Sequence, residues 1–496
     1  MKYAWRLSIY TLSLLLLASC SNSDFLDVNE DPNRSASAEP GPIFTSVITG
    51  YSTNRVIDLG PAVSTAGQMW SGGGSLGAGV FTNPERYNFS IFTTGNTWRS
   101  YYRDIQKDLK LAIKNSEDAG LTNAVAQCEI FSALTYWSTT VLWEDVPYTE
   151  AVDVDFSGPE IKSLNPAFDP QATVLQGVLD ILDQAIGRIE VGVPTSITSN
   201  DLIYGGDMAK WKKFANSLKL RTLMTMVDSD PSVNTQINSL IAGGDMLSSA
   251  SENAEFPFFS TPGNRNPFWE TLNSFAGGSN FFYFAGEAMV QAMKAKNDPR
   301  LTAYFEPYPG GGSPDEVEGA PPGRQNFIVT PWVLSTAPVG TNGTTELVRP
   351  NSQDVLFSVQ EQLFLEAEAI AKGYADGGFA EADKRFRDGI RAAMANYEIS
   401  SENVESFLAN EIPDLTTISA EEAVNLIAEQ AWIDNVIRPV EGWTTWRRNE
   451  YPLLQVPDGA TTTQLIRRLP YPPDEIAANT NAPTDPALDQ KMWFDK

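Results

Sequence analysis

Apolar side chains recur every three or four residues in several segments, which is the period of an α-helix with one buried face. One stripe runs from Trp98 to Ala112, a second from Ile130 to Val141 and a third from Leu356 to Ile370. The second stripe stops before Pro147, and the third is followed by Gly373, a residue common just after a helix. The pattern predicts an amphipathic helix in each of the three segments.

Two further helices are indicated by the residues at their starts. Asp169 and Pro170 are suited to the N-cap and the first turn of a helix that continues to about Ile189. Ser419 and Glu422 have the spacing of a capping box, in which each side chain bonds the backbone of the other residue. We expect that box to open a helix ending near Ile437.

The segment Met208–Val227 differs because it is apolar on two sides. Trp211 and Phe214 lie on one helical face, whereas Leu220 and Leu223 lie nearly opposite. A helix of this kind is packed between two layers. Stacked helix pairs form an α-solenoid of the tetratricopeptide type, although no clean 34-residue repeat is visible. The predicted fold is therefore mostly α, with tetratricopeptide-like helix pairs.

Two long regions, about 60–97 and 255–350, show little periodicity and are rich in glycine, proline, asparagine and aromatic residues. Long irregular connections in a folded protein are usually functional, and their aromatic content argues against disorder. We expect these loops to carry the ligand site. No linker divides the sequence, so residues 20–496 are predicted to form a single domain.

The N-terminus has the pattern of an export signal. Two basic residues, Lys2 and Arg6, precede the apolar run Leu7–Ala18, which is shorter than the roughly 20 residues that cross a bilayer. Leu17-Ala-Ser-Cys20 resembles a bacterial lipobox. We predict that residues 1–19 are removed and that Cys20 is acylated; the alternative is an ordinary secreted protein with a coincidental cysteine.

Composition removes several classes of function. The 496 residues include 35 Lys and Arg, 62 Asp and Glu, and no histidine, for a net charge of −27. Imidazole-dependent nucleophiles and His-ligated metals are thereby excluded, and the acidity argues against nucleic acid as a partner. Cys128 lies in an apolar stretch and is predicted to be a buried, inert thiol.

Carboxylate catalysis has weak support. With 62 acidic residues some close pairs are inevitable, but Glu366 and Glu368 lie on a predicted helix, without the spacing or loop setting of a glycosidase pair. A calcium-like start at Asp27 is followed by Pro32 where a calcium loop needs glycine. We predict no catalytic residue, no metal and no cofactor.

The aromatic residues of the loops indicate carbohydrate binding. A sugar ring stacks its C–H face on an aromatic ring, and its hydroxyls need amide or guanidinium partners. More than half of such rings are expected in the core. The residues predicted to bind the ligand are Trp70, Asn264, Arg265, Trp269, Phe281, Tyr283 and Trp332.

Seven short motifs occur in an order that resembles the SusD/RagB family of outer-membrane nutrient-binding lipoproteins. Each motif is weak alone, and together they span nearly the whole chain after Cys20. They are Phe25-Leu-Asp-Val-Asn-Glu-Asp-Pro-Asn33, Trp143-Glu-Asp-Val-Pro-Tyr-Thr-Glu-Ala151, Trp211-Lys-Lys-Phe-Ala-Asn-Ser-Leu-Lys-Leu-Arg221, Phe364-Leu-Glu-Ala-Glu-Ala369, Ala428-Glu-Gln-Ala-Trp-Ile433, Trp446-Arg-Arg448 and Arg467-Arg-Leu-Pro-Tyr-Pro472.

The resemblance implies a lipid-anchored protein in the outer membrane of a Gram-negative bacterium, facing the cell exterior. Such a protein captures a nutrient, most often an oligosaccharide, and passes it to a SusC-like TonB-dependent transporter without catalysis. The net negative charge favours a neutral oligosaccharide. A peptide ligand is the first alternative, a surface glycoside hydrolase the second and a general helical-repeat scaffold the third. No family motif maps ligand contacts onto this chain.

Overall fold

The described part of the chain is built mainly from α-helices, as the apolar stripes predict. The computed structural model describes residues 39–72, 82–152, 165–278, 283–324, 326–341, 343, 345–484 and 486–495. The predicted export signal, Cys20 and Phe281 lie outside these residues, so those predictions stand untested. Residues 40–496 form one compact unit.

Among the described residues, the first half of the unit contains nine α-helices and two π-helical turns. The turns, Arg55–Leu59 and Ser100–Gln106, join α1 to α2 and α4 to α5. The helices are α1 (Pro40–Asn54), α2 (Gly60–Ala66), α3 (Thr82–Glu85), α4 (Ile91–Arg99), α5 (Lys107–Asp118), α6 (Thr122–Trp143), α7 (Gln171–Arg188), α8 (Met208–Met226) and α9 (Asn234–Gly243).

In the described residues of the second half, three helices lie within the region predicted to be loops and six lie beyond it. They are α10 (Pro267–Gly278), α11 (Glu287–Lys294), α12 (Leu301–Tyr304), α13 (Val359–Ala371), α14 (Gly378–Ala395), α15 (Ser401–Asn410), α16 (Ala420–Asp434), α17 (Pro439–Asn449) and α18 (Pro473–Ala478). We call α1, the π-helical turn after it, α5 to α9 and α13 to α17 the helical scaffold.

Helices that follow one another in sequence pack together in the scaffold. α5 contacts α6, α6 contacts α7 and α7 contacts α8, while α13 pairs with α14 and α16 with α17. In α6 every residue from Asn123 to Trp143 is buried, so this helix is covered on all sides. α8 buries both of its apolar faces. The predicted mostly α fold with tetratricopeptide-like helix pairs is confirmed.

In the part of the chain that the structure describes, eight short strands form three small antiparallel sheets. In the four-stranded sheet, β1 (Trp70–Ser71) pairs with β5 (Phe284–Ala285), which pairs with β7 (Val333–Leu334), which pairs with β6 (Phe305–Glu306). The other two sheets pair β2 (Val146–Pro147) with β3 (Phe168–Asp169), and β4 (Ala254–Phe256) with β8 (Asp354–Phe357).

Helix ends follow the sequence in some places and depart from it in others. The capping box of Ser419 and Glu422 is present, and Gly373, with φ +76°, follows the end of α13. Asp169 was wrong as an N-cap: it lies in β3 and accepts a bond from the N–H of Thr149 at 2.8 Å. Leu356 was wrong as a helical residue, since it belongs to β8.

The regions predicted to be irregular also contain short helices. Residues 60–97 include α2 and α3 and most of α4, and residues 255–350 include α10 to α12. Elements this short show too few turns for an apolar period to be read from the sequence. The prediction of featureless loops was therefore wrong in detail.

Ion pairs buried between helices link layers that are distant in sequence. Arg55 pairs with Asp354 at 3.1 Å and with Glu441 at 3.0 Å, and Arg221 pairs with Glu361 at 2.6 Å. All five side chains are at least nine-tenths buried. A buried charge needs a partner of opposite charge because removing a charged group from water costs free energy. These pairs fix how the helix layers meet.

The motifs that resemble the family contribute to this packing. The Arg221 guanidinium lies 4.8 Å from the ring centre of Trp137 and 4.4 Å from that of Phe357. Arg448 pairs with Glu368, joining two more of the motifs. The motifs therefore hold the scaffold together.

Two smaller predictions can also be compared with the structure. Cys128 is fully buried, and burial raises the pKa of its thiol, in agreement with an inert side chain. Among the described residues, none of the helices combines the length and apolar character needed to cross a membrane.

Candidate functional site

The four-stranded sheet brings together residues that the sequence places far apart. Trp70 on β1 lies opposite Ala285 on β5, and the N–H of Ala285 donates to the carbonyl of Trp332 at 2.9 Å. Residues opposite one another in a sheet share a face, as do residues two apart on one strand. Trp70, Tyr283, Ala285 and Trp332 therefore lie on one face, with the small alanine between the two tryptophans.

A stack of aromatic rings covers part of this face. Trp70 stacks on Phe268 with ring centres 5.1 Å apart and an interplanar angle of 13°, and Tyr283 lies 5.4 Å from Trp70. Phe268 comes from the start of α10. We call Trp70, Phe268, Trp269, Tyr283 and Trp332 the aromatic corner. It is a buried apolar base for the surface around it.

The rings of the corner are more buried than the sequence interpretation required. Trp70 is 3 % exposed, Tyr283 2 % and Trp269 1 %. The indole N–H of Trp70 has no hydrogen-bond acceptor among the described residues. A buried donor without a partner is costly, so this N–H suits an acceptor such as a hydroxyl.

Arg265 and Trp269 form a cation–π pair beside the stack. The guanidinium carbon lies 5.2 Å from the Trp269 ring centre, and Arg265 also donates to the carbonyl of Ser260 and to Glu270, each at 3.0 Å. The Trp269 indole N–H donates to the carbonyl of Ala337 at 2.9 Å. In this structure the face of Trp269 beside Arg265 is occupied, so a sugar would meet the guanidinium first.

The remaining predicted residues lie around the corner. Asn264 is exposed, and its carbonyl accepts from the N–H of Phe259 at 2.8 Å, closing a short loop. Trp332 is 9 % exposed and donates from its indole to the carbonyl of Pro314 at 3.1 Å. Phe281 lies outside the described residues.

Asn266 positions the two aromatic residues that open α10. Its side-chain oxygen accepts from the N–H groups of Phe268 at 2.9 Å and Trp269 at 3.2 Å, as an N-cap does. Its amide group donates to the carbonyl of Ser352 at 2.8 Å. This one side chain therefore sets where α10 begins and how its rings enter the corner.

The opposite face of the sheet holds aromatic residues that the predicted site left out. Phe284 packs against Tyr308 and Phe327, with ring centres 6.0 and 5.3 Å apart, and both outer rings are half-buried. Tyr308 shows in the sequence as one of many loop aromatics. No local sequence pattern distinguishes Tyr308 or Phe327, because their contacts with Phe284 join segments that are distant in sequence.

The carboxylates considered for hydrolysis lie in the scaffold. Burial alone would raise the pKa of Glu368, but Arg448 and Lys372 hold it at about 2. Glu366 is bonded by Gln362 at 2.9 Å and paired with Arg385 at 3.3 Å. Each carboxylate is engaged in holding helices together.

The family comparison places this helical protein among nutrient-binding proteins that associate with the outer membrane. The chain belongs to the SusD-like family, described as starch-binding and associating with the outer membrane, which it matches over residues 32–472. The proteins of this family bind nutrients rather than catalyse. No curated protein matches the sequence.

Solved structures of low sequence identity share the fold. A SusD-like protein of Bacteroidetes superimposes with a TM-score of 0.77 at 20 % identity, covering 92 % of this chain and 100 % of its own. A SusD homolog from Parabacteroides distasonis gives 0.75 at 21 %, covering 92 % and 98 %. A chitin-binding SusD homolog from Flavobacterium johnsoniae gives 0.70 at 18 %, covering 92 % and 97 %.

Proposed function

We propose that this protein captures a neutral oligosaccharide at the aromatic corner and delivers it to a SusC-like TonB-dependent transporter. The observation that carries the proposal is the family match over residues 32–472. Capture and delivery require binding groups and no catalytic ones, so the protein acts without an enzymatic step. Acylation of Cys20 after removal of residues 1–19 anchors it to the outer membrane, facing the exterior.

The chemistry of the corner supports a sugar ligand. Trp70, Tyr283 and Trp332 give an apolar base, and Asn264 and Arg265 give amide and guanidinium groups at its rim. Phe281 lies two residues before Tyr283 in sequence and belongs to the same proposed site. Trp269 contributes by holding Arg265 in place.

The charge of the chain supports a neutral ligand over an acidic one. With 62 acidic and 35 basic residues, the surface repels polyanions at low ionic strength. Arg265 is itself paired with Glu270, so its charge is partly compensated. An uronic acid polymer would therefore bind less well than a neutral glucan or chitin fragment.

Calorimetry on the protein lacking residues 1–20 tests the proposal. We expect binding to at least one member of a neutral panel that includes maltoheptaose and chitohexaose, and a loss of about tenfold in affinity for Arg265→Ala. Arg391→Ala is the matched control, because Arg391 is also paired with a glutamate, on the remote helix α14. Binding to peptides with silence on every glycan would replace this proposal with peptide capture, and release of reducing sugar would replace it with hydrolysis.

A further inference from the structure

Glu85, the last residue of α3, is buried beside the aromatic corner at 1 % exposure. Its carboxylate accepts from the N–H of Gly72 at 3.2 Å, and Gly72 directly follows the strand that carries Trp70. It also accepts hydrogen bonds from the N–H of Gly323 and from the side chain of Ser71. One side chain therefore bonds two segments that are 251 residues apart.

The Gly323 turn is held on both sides. Arg86 donates from Nε and Nη2 to the Gly323 carbonyl at 2.9 and 2.5 Å. The N–H of Gly323 donates to the carboxylate of Glu85. The φ angle of Gly323 is +76°, and a Cβ there would lie 2.3 Å from the Asp458 carbonyl oxygen. A side chain at this position would collide with the neighbouring backbone, so only glycine fits there. The close approach fixes where the turn lies.

The segment that ends in this turn supports the other tryptophan of the sheet face. The N–H of Trp332 donates to the carbonyl of Glu318 at 2.9 Å, and the N–H of Ala320 donates to the carbonyl of Ala285 at 2.7 Å. Through Gly72 and Gly323, Glu85 thus joins the Trp70 side of the corner to the Trp332 side.

We propose that Glu85 is a positioning residue of the candidate site, which clasps the strand end after Trp70 to the turn that leads to Trp332 and does so more firmly when its carboxyl is protonated. The effect on oligosaccharide affinity rests on the proposed function. The clasp itself does not, because it can be measured without any ligand.

The direction of the pH effect follows from the burial of the carboxyl. Burial raises the pKa of Glu85 to about 7, against the lowering effects of Gly323, Ser71, Gly72 and Arg86. The titratable groups that face it are Arg86 and Tyr87. If the clasp opens, the carboxyl returns to water and its pKa returns to the ordinary value of 4.5.

The closed form therefore binds the proton more tightly than the open form. The stabilisation of the closed clasp by protonation is full below pH 4.5 and is lost as the pH rises through 7, above which the closing equilibrium no longer depends on pH through this carboxyl. With a pKa of about 7 in the closed form and 4.5 in the open form, the equilibrium constant for closing falls about tenfold from pH 6 to pH 8. A neutral side chain of the same shape should hold the clasp equally well at both pH values.

Hydrogen exchange of the ligand-free protein, read by mass spectrometry on short fragments covering Gly72 and Gly323, tests this. After correction for intrinsic exchange, we expect protection in the wild type to fall about tenfold from pH 6 to pH 8. In Glu85→Gln protection should be independent of pH. Glu129→Gln is the matched control, since burial also raises the pKa of Glu129 to about 7, but that residue lies on α6 beside Arg188.

The outcomes separate the clasp from the proposed function. Equal wild-type protection at pH 6 and 8, or the same slope in Glu85→Gln and wild type, would overturn the clasp. Calorimetry with maltoheptaose and chitohexaose at both pH values gives the second readout, in which we expect weaker binding at pH 8 for the wild type and Glu129→Gln but not for Glu85→Gln. If neither sugar binds while the exchange data agree, the proposed ligand fails and the clasp stands.

Discussion

One buried carboxylate of the helical scaffold, Glu441, and one beside the aromatic corner, Glu85, are held in opposite ways. Glu441 lies among Arg55, Arg438 and Arg221, which hold its pKa at about 2 although burial alone would raise it. Glu85 at the corner is bonded chiefly by backbone N–H groups, and burial raises its pKa to about 7. The arginine-paired carboxylate of Glu441 thus keeps a fixed charge, whereas the carboxyl of Glu85 titrates near neutrality.

The motifs that resemble the family and the residues proposed to bind the ligand lie in different parts of the molecule. The recurrent motifs contain Arg221, Glu368 and Arg448, all of which form ion pairs in the scaffold. The rings of the corner come from segments outside those motifs. A sequence can therefore be assigned to the family while its ligand stays open.

The largest expected effect comes from breaking the scaffold network. Arg221→Met leaves Glu361 and Glu441 short of a buried cation and should lower the free energy of unfolding by about 3–5 kcal/mol. Urea denaturation measures it. Arg391→Met, which breaks an exposed pair with Glu405, should change stability little. Equal losses of unfolding free energy in both variants would contradict the conclusion that the buried ion pairs stabilise the protein more than the exposed pair does.

The next effect concerns acid stability. Glu368, with a pKa of about 2 against an ordinary value of 4.5, contributes about 3 kcal/mol above pH 4.5, and this contribution is lost as the pH falls towards 2. In Glu368→Gln the unfolding free energy should be lower at pH 7 and should decline less between pH 4.5 and 2. Urea denaturation between pH 4.5 and 2 measures this. The same pH dependence of the unfolding free energy in Glu368→Gln and the wild type would contradict the prediction.

A smaller effect is expected at the corner, on binding. Trp332→Leu should weaken binding of the best oligosaccharide of the panel by about 2 kcal/mol, roughly thirtyfold, because aromatic anchors dominate such sites. Trp98→Leu is the control: Trp98 is 4 % exposed, lies on α4 outside the corner and donates from its indole to Glu475 of α18 at 3.2 Å. Calorimetry on folded protein should show loss in the first variant only, and equal loss in both would remove Trp332 from the site.

The sequence was most informative where one helix spans several turns. α8 and the capping box of α16 could be predicted because period and end signals agree within a short stretch. Asp169 and Leu356 were assigned wrongly because two- to four-residue strands give no readable period, and pairing partners such as Phe168 for Pro147 are set by the fold.

The candidate site was only partly accessible from sequence. Aromatic type and loop setting indicated Trp70 and Tyr283, but their stacking partner Phe268 comes from a helix almost 200 residues beyond Trp70. Burial of Trp269 under Arg265 depends on where α10 begins. Such contacts are decided by tertiary packing, which local pattern does not encode.

The central claim, that ligand binds at the corner and the motifs serve the scaffold, can be tested by hydrogen exchange with and without saturating oligosaccharide from the neutral panel. We predict added protection in fragments covering residues 68–72, 259–269 and 314–334. Helices α8 and α13, which carry Arg221 and Glu368, should be unchanged. Protection confined to α8 and α13, with none at the corner, would contradict the account.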